Sequence, residues 1–359
     1  MGEAFDPKSL RQWWPKPSTP RPIVIFGAGS IVGDAHLPAY RQGGFPVAGL
    51  YDPDAEKATA LAAQWGIRAF ASEAEALAIE GAIFDLATPP AAHAKILSKL
   101  PRGSFVLIQK PMGSDLTGAS EILRVCRERD IKAAVNFQLR FAPMMLALYD
   151  AVIKGYLGDV VDFDAWLALA TPWGLWPFLK GLPRIEIAMH SIHYLDFIRG
   201  LLGNPLGVHA KTIGHPNHDV AQTRTAAILD YGDKVRCVLS VNHDHDFGRK
   251  FQACEFRIAG TKGAAYIKLG VNLDYPSGEP DELWIRPEGG SDWVEVKLEG
   301  AWFPDAFVNR MANLQRFASG EDHELIGSGE DAWQTMALVE AAYQSSATPA
   351  TSIAELPKA

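Results

Sequence analysis

The chain has 359 residues, a formal net charge of -8 and 48% hydrophobic residues. This acidic balance argues against a protein that mainly binds nucleic-acid phosphates, and the length predicts two domains. No apolar run is long enough to span a bilayer or to form a secretory signal, so we expect a cytoplasmic protein that binds neither membranes nor nucleic acid. Three widely spaced cysteines (Cys126, Cys237 and Cys254) form no disulfide or zinc pattern and are expected to be buried thiols.

The first 21 residues form a segment of unusual composition. They contain Trp13, Trp14 and four prolines, which suits an arm that lies on a surface better than an independent element. We expect this arm to contact a neighbouring subunit.

Residues 22–137 alternate between short apolar runs and helix-like segments. Strands are predicted at 22–26, 45–51, 81–87, 104–109 and 131–137. Between them we predict a short helix that ends near Pro38, an alanine-rich helix that stops at Gly66, and helices at 90–99 and 116–129. Strands joined by single helices form a parallel sheet through right-handed crossovers, so this part is predicted to be a doubly wound Rossmann domain.

The first strand runs into closely spaced glycines. Gly27 and Gly29 are followed by Ser30 and Ile31, where a helix-like segment begins. Glycines permit a sharp turn and close approach to a pyrophosphate, which can then bind the amides of a helix N-terminus. The alternative is an ordinary tight turn. The stretch therefore predicts a dinucleotide site that depends on its downstream partners.

Asp52 supplies the first of these partners. It lies 25 positions after Gly27 (52 minus 27), near the ~20-residue offset at which a carboxylate meets the adenosine ribose. The next two residues are Pro53 and Asp54, so a ribose 2′-phosphate would meet only negative charge. The pattern favours NAD over NADP. Asp52 is also a candidate to cap the following helix, and both roles can hold together.

The carboxyl ends of the predicted parallel strands bring further residues to one edge of the sheet. Besides the glycine turn and Asp52, this edge presents Thr88-Pro89-Pro90 and Gln109-Lys110-Pro111. The ammonium of Lys110 could donate to a substrate oxygen beside the nicotinamide and stabilise alkoxide charge. A solvated lysine at a strand end is the simpler alternative.

From residue 159 onward the pattern changes to apolar, β-branched or alternating runs separated by glycine turns. Strands are predicted at 160–170, 223–230, 234–242, 251–258, 263–269, 282–285 and 293–298. Helices are predicted at 184–202, 303–319 and 331–347. These elements predict an α+β domain with a mostly antiparallel sheet.

The helix at 184–202 carries several polar side chains at helical spacing. Glu186, His190, His193 and Phe197 recur on one predicted face, with Asp196 beside them. His193 is a candidate base, and a neighbouring carboxylate would orient it and raise its basicity. His190 and His193 could also share a metal, but no third ligand follows from the sequence, so we predict no metal.

Two other groups are candidates for binding. Trp173 and Trp176, with Trp166 before them, could stack on the apolar face of a sugar ring, or could pack in a core corner instead. The run His243-Asp244-His245-Asp246 alternates at a predicted strand end, which would place its two histidines on one side and its two aspartates on the other. That run could line a pocket, bind a metal or be solvated.

From about residue 22 to residue 353 the chain resembles the Gfo/Idh/MocA family, named for glucose-fructose oxidoreductase and inositol dehydrogenase. The matching pieces, in chain order, are Gly27-Ala28-Gly29-Ser30-Ile31, His36-Leu37-Pro38, Asp52, Ala87-Thr88-Pro89-Pro90 with His93, Lys110-Pro111, Asn136 with Arg140, His193-Tyr194-Leu195-Asp196, and Gly327-Ser328-Gly329-Glu330-Asp331. Their order and spacing together make the resemblance specific.

The resemblance implies an NAD(P)-dependent oxidoreductase that acts on sugars or polyols, with a C-terminal open sheet used for oligomerisation. It implies that Lys110 contacts the reacting hydroxyl and that His193 is the base, with His190 as a further catalytic candidate. The expected cofactor-binding residues are Gly27, Gly29, Ser30, Ile31, Asp52, Thr88, Pro89, His93, Gln109 and Asn136. The expected substrate-binding residues are Lys110, Arg140, Trp173, Trp176, Glu186, His190, His193 and Asp196.

The chain departs from the family pattern at three positions. Val32 stands where the third fingerprint glycine is expected, Gln109 replaces a glutamate before the lysine, and Met189 replaces an aspartate four residues before the histidine. His190 or Glu186 could take the place of that aspartate.

Together these features predict an arm at 1–21, an NAD-binding Rossmann domain at 22–142 and a substrate-binding and oligomerisation domain at 143–359. We expect a homo-oligomer, dimeric or tetrameric, that transfers a hydride between NAD and a secondary hydroxyl or ketone of a carbohydrate or polyol. Two alternatives stay open: a redox-neutral enzyme of the glycosidase or epimerase type with tightly held NAD, and a non-catalytic nucleotide sensor.

Overall fold

The computed structural model describes residues 5–176, 179–274 and 278–354. Its first sheet is parallel, with the strand order β2-β1-β3-β4-β5. The strands are β1 (Ile23–Phe26), β2 (Val47–Tyr51), β3 (Ile83–Leu86), β4 (Phe105–Ile108) and β5 (Lys132–Val135). All five strands lie where the alternating pattern predicted them. The order reverses between β1 and β3, which places a crevice at the carboxyl ends of these strands.

Helices connect these strands. They are α1 (Leu37–Gly43), α2 (Ala55–Trp65), α3 (Glu73–Leu77), α4 (His93–Leu97) and α5 (Leu116–Glu128). The predicted helix end near Pro38 is wrong. A π-helical turn at Val32–His36 runs directly into α1, so the helix passes Pro38 and continues to Gly43. Such a turn is the kind of local adjustment that lets a helix accommodate a proline.

The second sheet has eight strands in the order β13-β12-β11-β10-β6-β9-β8-β7. The strands are β6 (Val160–Ala168), β7 (Gly207–Ile213), β8 (Arg224–Asp230), β9 (Arg236–Asn242), β10 (Ala253–Gly260), β11 (Ala264–Lys268), β12 (Glu282–Arg286) and β13 (Val294–Glu295). Every pair is antiparallel except β6 with β9. The sequence pattern missed the edge strand β7 and the helix α6 (Pro143–Ile153).

The remaining helices connect the two sheets. A π-helical turn (Glu186–Ser191) leads into α7 (Ile192–Leu202), and α8 (Asp305–Ala318) and α9 (Gly329–Ala347) follow the second sheet. Helix α8 packs on α1 and β4, whereas α9 contacts α5 and β5 on one side and β7 and α7 on the other. The C-terminal helices therefore return to the first sheet, and the division at residues 142 and 143 stays a prediction.

The part of the predicted arm from residue 5 onward lies along its own chain. The Gln12 side chain donates to the Lys297 carbonyl (2.9 Å) and accepts from the Glu299 amide (2.8 Å). The Trp14 amide donates to Asn309 Oδ1 (2.8 Å). These bonds tie the arm to the end of the second sheet and to α8. A contact with a neighbouring subunit stays a prediction.

Candidate active site

The glycine turn after β1 brings the first and third strands close together. Gly27 has φ +112°, and a Cβ on it would lie 2.4 Å from the Ala87 carbonyl oxygen. Gly29 differs, because a Cβ there would meet nothing within 4 Å. Gly29 and Ser30 are exposed, Ile31 is partly buried, and the helical segment begins at Ser30. Gly27 is thus needed for the fold, whereas Gly29 keeps a surface at a helix N-terminus open.

Asp52 is fixed against this turn. Its carboxylate accepts hydrogen bonds from the amide of Ala28 (2.8 Å) and the amide of Asp54 (2.9 Å). The cap of α2 is Asp54, whose side chain accepts from the Lys57 amide. The expectation that Asp52 caps this helix is therefore wrong. Its carboxylate instead lies beside the glycine turn at the end of β2.

The third strand end presents Thr88, Pro89 and His93. The ring of His93 is buried and its Nε2 lies 3.0 Å from the Thr88 carbonyl oxygen. Burial lowers the pKa of His93 to about 4, so this imidazole is neutral at physiological pH. The hydroxyl of Thr88 is buried and has no hydrogen-bond partner among the described residues, while Pro89 is exposed.

The fourth and fifth strand ends meet through two amide side chains. Asn136 follows β5, and its Nδ2 donates to Gln109 Oε1, which follows β4 (3.0 Å). Asn136 is fully buried, and its Oδ1 has no partner within the described part of the chain. An unpaired buried oxygen is costly unless another group satisfies it. The edge therefore carries unused hydrogen-bonding capacity at Thr88 and at Asn136.

Lys110 leaves the same edge and reaches the second half of the chain. Its Nζ donates to the main-chain carbonyl of Met189 (2.9 Å), and no carboxylate of the described residues forms an ion pair with it. Burial lowers the pKa of Lys110 to about 8. This neutral partner leaves the ammonium able to donate further hydrogen bonds. Lys110 is therefore not the solvated lysine of the simpler alternative.

The π-helical turn at 186–191 changes how its side chains are distributed. Such a turn is wider than an α-helical one by about one residue, so Glu186 meets Ser191, whose hydroxyl donates to Glu186 Oε1 (2.6 Å). The predicted common face is therefore wrong. Glu186 and His190 contact His243, whereas His193 lies on a different set of side chains.

His193 is almost completely buried. Its ring packs edge-on against Phe137 and Trp302, and its Nδ1 has no hydrogen-bond partner among the described residues. Burial, and secondarily the charge of Lys110, lower the pKa of His193 well below its ordinary value. The expectation that a carboxylate raises its basicity is wrong, because Asp196 is engaged elsewhere.

Asp196 forms a buried ion pair with Arg140. The Arg140 Nε and Nη2 atoms contact the two Asp196 carboxylate oxygens at 2.5 and 2.8 Å. The Thr335 hydroxyl donates to Asp196 Oδ1 (2.8 Å), and Arg140 Nη1 lies 2.8 Å from Asp331 Oδ2. These contacts join α7 to α9 and to the turn after β5. They give Arg140 and Asp196 a structural role, and their binding of substrate stays a prediction.

Trp173 packs beside the histidines, and its Nε1 donates to Asp244 Oδ1 (3.2 Å). Trp176 ends the same short 3₁₀ turn. Trp166 is separate from them, because it lies on the exposed face of β6. The predicted alternation after β9 is wrong at its start. His243 and Asp244 are both buried, and no group of three or more His, Cys, Asp and Glu side chains among the described residues could hold a metal.

The sequence patterns did not identify two contributors to this site. One is the main-chain carbonyl of Met189, which no side-chain pattern can show. The other is Thr171, whose hydroxyl lies 2.7 Å from His243 Nδ1 across 72 positions of the chain. The paired runs 160–170 and 234–242 were the available signal, because their pairing brings the residues after them together.

Two family profiles match this chain. The sequence profile of the GFO/IDH/MocA oxidoreductase family, described as an NAD-binding Rossmann fold, matches residues 21–137, and the profile of the family's C-terminal domain matches residues 145–266. The chain belongs to the Gfo/Idh/MocA oxidoreductase family. The resemblance inferred from the motifs is thereby confirmed.

Individual relatives of this family cover most of the chain. A D-apiose dehydrogenase from Rhizobium rhizogenes is 25% identical, with 86% of this chain and 90% of that protein aligned. An inositol 2-dehydrogenase from Rhizobium meliloti is 24% identical over 89% and 95%. An oxidoreductase structure from Agrobacterium radiobacter in complex with NAD+, L-tartaric acid and magnesium has a TM-score of 0.77 at 23% identity, covering 92% and 97%. This structural likeness confirms the fold.

The residues at the sheet edge fit the dinucleotide of a Gfo/Idh/MocA protein. A nucleotide could approach the open surface at Gly29 and bind the amides of the helix N-terminus at Ser30. It could also supply hydrogen-bond partners for the unpaired oxygens of Thr88 and Asn136. Elsewhere in the described chain, no helix has the length and apolar character needed to cross a membrane.

The two glycines of the turn make a matched test. Gly29→Ala should leave the unfolding temperature unchanged but weaken NADH binding at least about tenfold, because the added methyl group enters the face that a pyrophosphate approaches. Gly27→Ala should lower the free energy of unfolding by at least about 1–3 kcal/mol through its backbone conformation alone. Thermal unfolding measures the stability of both variants, and NADH fluorescence titration measures their binding of the cofactor. Tight NADH binding by a folded Gly29→Ala protein would contradict the assignment.

Proposed function

We propose that this protein transfers a hydride reversibly between NAD and a secondary hydroxyl or ketone of a sugar, polyol or sugar derivative. The observation that carries the proposal is the position of Lys110. Its Nζ extends from the end of β4 to the Met189 carbonyl. The charge of Lys110 also contributes to the lowered pKa values of His190 and His193. The names of the apiose and inositol dehydrogenases support the substrate class.

Each residue has a defined task in this proposal. Bound NAD supplies the hydride acceptor of the reaction. The ammonium of Lys110 donates a hydrogen bond to the substrate oxygen and stabilises the negative charge that develops there. His193 is neutral at physiological pH and so can accept the hydroxyl proton. Holding both reactants at one edge supplies much of the rate, because orientation alone can contribute roughly 7–11 kcal/mol.

Trp173 and the neighbouring polar groups are the proposed sugar contacts. An indole face can cover the apolar C–H face of a sugar ring, and His190 and His243 pack against Trp173, with Glu186 facing His243. Trp176, at the end of the same 3₁₀ turn, is a further proposed contact, and the ion pair of Arg140 with Asp196 joins α7 to the turn after β5. We also propose a cytoplasmic homo-oligomer. The exposed face of the second sheet carries Trp166, Ile228 and Trp293, which suits contact with another copy.

We further propose that NAD is preferred over NADP. The carboxylate of Asp52 is held at the end of β2, and the two residues directly after it, Pro53 and Asp54, provide no cation for a 2′-phosphate. A phosphate at the ribose would therefore lie against a fixed negative charge.

Removing this charge should change the cofactor preference. Asp52→Asn keeps the size of the side chain but can accept only one of the two amide hydrogen bonds, so thermal unfolding is measured beside it to show that the protein stays folded. We expect the Kd for NADH to rise about tenfold and the Kd for NADPH to fall, as measured by fluorescence titration. Asp130→Asn is the matched control and should keep the original preference, because it lies just before β5, at the opposite end of the sheet, and Asn tolerates its left-handed backbone. An unchanged NADH to NADPH ratio in Asp52→Asn would refute the ribose assignment.

Activity tests the proposed function directly. The purified protein should reduce NAD in the presence of at least one member of a panel of sugars, inositols and sugar acids. Lys110→Ala should lower kcat about 100- to 1000-fold while NADH binding changes much less. For the wild type, kcat/KM for sugar oxidation should fall as pH rises through about 8, because Lys110 then loses its proton, and this decline should be absent from Lys110→Ala.

Two results would oppose the proposal. Equal losses of turnover and NADH binding in Lys110→Ala would exclude a catalytic Lys110. NAD that copurifies with the protein, with no net NADH formed from any sugar, would instead indicate redox-neutral chemistry.

A further inference from the structure

His243 has no task in the proposed reaction, although it lies at the centre of a cluster of aromatic rings. Its ring is 4.6 Å from that of His190 and 5.7 Å from that of Trp173, between ring centroids, and the rings of Trp173 and His190 are 5.6 Å apart. We call these three residues the ring cluster. Each ring contacts the other two, so none can shift alone without losing contacts.

The backbone around His243 is held on both sides. Its amide donates to the Thr223 carbonyl (3.0 Å), and its own carbonyl accepts from the Thr171 amide (3.0 Å). Trp173 is fixed through Asp244, whose second carboxylate oxygen accepts from the Thr223 hydroxyl. Two members of the ring cluster are therefore anchored to the second sheet. The third, His190, belongs to the π-helical turn.

Polar atoms face both nitrogens of the His243 ring, and Nδ1 is the nitrogen with a hydrogen-bond partner among the described residues. Nδ1 lies 2.7 Å from the Thr171 hydroxyl oxygen and Nε2 lies 3.4 Å from Glu186 Oε1. Glu186 is completely buried, and its Oε2 has no partner among the described residues. The Thr171 contact at Nδ1 fixes the orientation of the imidazole, while Nε2 faces the Glu186 carboxylate without a hydrogen bond. His243 is thus held by Thr171 and by the other two rings of the ring cluster.

His190 packs against His243 and directly follows Met189, whose carbonyl accepts the hydrogen bond of Lys110. Its pKa is lowered well below 6.5 by burial first, and then by the charges of His243, Lys110 and His193. The Glu186 carboxylate faces His243. The ring of His190 is therefore held in place by its neighbours and kept neutral by its surroundings. A neutral imidazole in a fixed position can accept a hydrogen bond from a substrate hydroxyl.

We propose that His243, held by Thr171 and facing Glu186, is a positioning residue that fixes the ring of His190 beside Lys110, where His190 binds a second hydroxyl of the substrate. This inference rests on the proposed function. This arrangement gives the site a preference for substrates that carry a hydroxyl next to the reacting carbon. Lys110 donates a hydrogen bond to the reacting oxygen, and His190 accepts one from the neighbouring hydroxyl. Misplacing such a ring by about 1 Å can cost about 100-fold in rate.

A double-mutant cycle tests the dependence on His190. His243→Ala should lower kcat/KM for the sugar about 10- to 100-fold with an unchanged KM for NAD. In a His190→Ala background the same change should cost less than about threefold, because the residue that it positions is already gone. His243→Gln, which can still reach Glu186, should restore part of the loss. Additive losses in the double variant would overturn the proposal.

The control comes from the same strand end. His245→Ala removes a histidine whose ring contacts Phe247 instead of the ring cluster, and it should leave kcat/KM unchanged. Thermal unfolding of all variants separates misfolding from mispositioning. If His243→Ala does not fold, His243→Gln and Thr171→Val carry the same cycle.

A second readout does not depend on activity. In protein with ring-13C-labelled histidine and saturating NAD, the His190 signal is assigned by its loss in His190→Ala. This signal should titrate at a higher pH in His243→Ala than in the wild type, because the variant exposes the ring and removes a neighbouring histidine. An unchanged midpoint would overturn the proposal. If the wild type binds NAD but oxidises no sugar, the proposed function fails, while this titration still decides whether His243 controls His190.

Discussion

The hydrogen bond from Lys110 Nζ to the Met189 carbonyl is the contact on which the site depends. It joins the end of β4 in the parallel sheet to the π-helical turn before α7, across 79 positions of the chain. The lysine is buried at this junction, so its ammonium needs a partner. A main-chain carbonyl provides that partner without adding a negative charge. The ammonium therefore keeps hydrogen-bonding capacity for a substrate oxygen, and its pKa lies near 8.

The electrostatics of the pocket follow from this choice of partner. Lys110 and three histidines lie close together, and the Glu186 carboxylate beside them faces His243. Burial first, and then neighbouring positive charge such as that of Lys110, lower the pKa values of His190 and His193 and keep both imidazoles neutral. The Asp196 carboxylate does not alter this balance, because it forms an ion pair with Arg140. The pocket is thus arranged to accept protons weakly and to stabilise a negatively charged oxygen.

The fold was largely predictable because its signals are local. The apolar runs and the glycine turn gave all five strands of the first sheet in their correct places, and Asp52 fell beside the turn as its offset implied. The misses have physical reasons. Pro38 is harmless because a π-helical turn shifts α1, which no local pattern reports. Strand β7 is an edge strand with a half-exposed face, so its apolar signal is weak.

The candidate site was less predictable because its partners are distant in sequence. The histidines and Lys110 were found from residue type and position. Their actual neighbours were not, because the Met189 carbonyl has no side-chain signature and Thr171 meets His243 only when β6 pairs with β9. An α-helical projection also misplaced Glu186 relative to His193, because the turn at 186–191 is π-helical. Local spacing identifies the residues here, while the tertiary contacts decide what they do.

Hydride transfer itself is the central claim, and isotopic labelling measures it most directly. The protein would be incubated with NADH carrying deuterium at nicotinamide C4 and with the ketone form of the sugar that it oxidises, and the product would be examined by mass spectrometry. We predict that deuterium appears at the carbon that bears the new hydroxyl, with a rate lower than that of unlabelled NADH. Because C4 of NADH carries two distinct hydrogens, the experiment is run with each of the two NADH epimers that carry deuterium at C4. A product that contains no deuterium with either epimer would contradict the account.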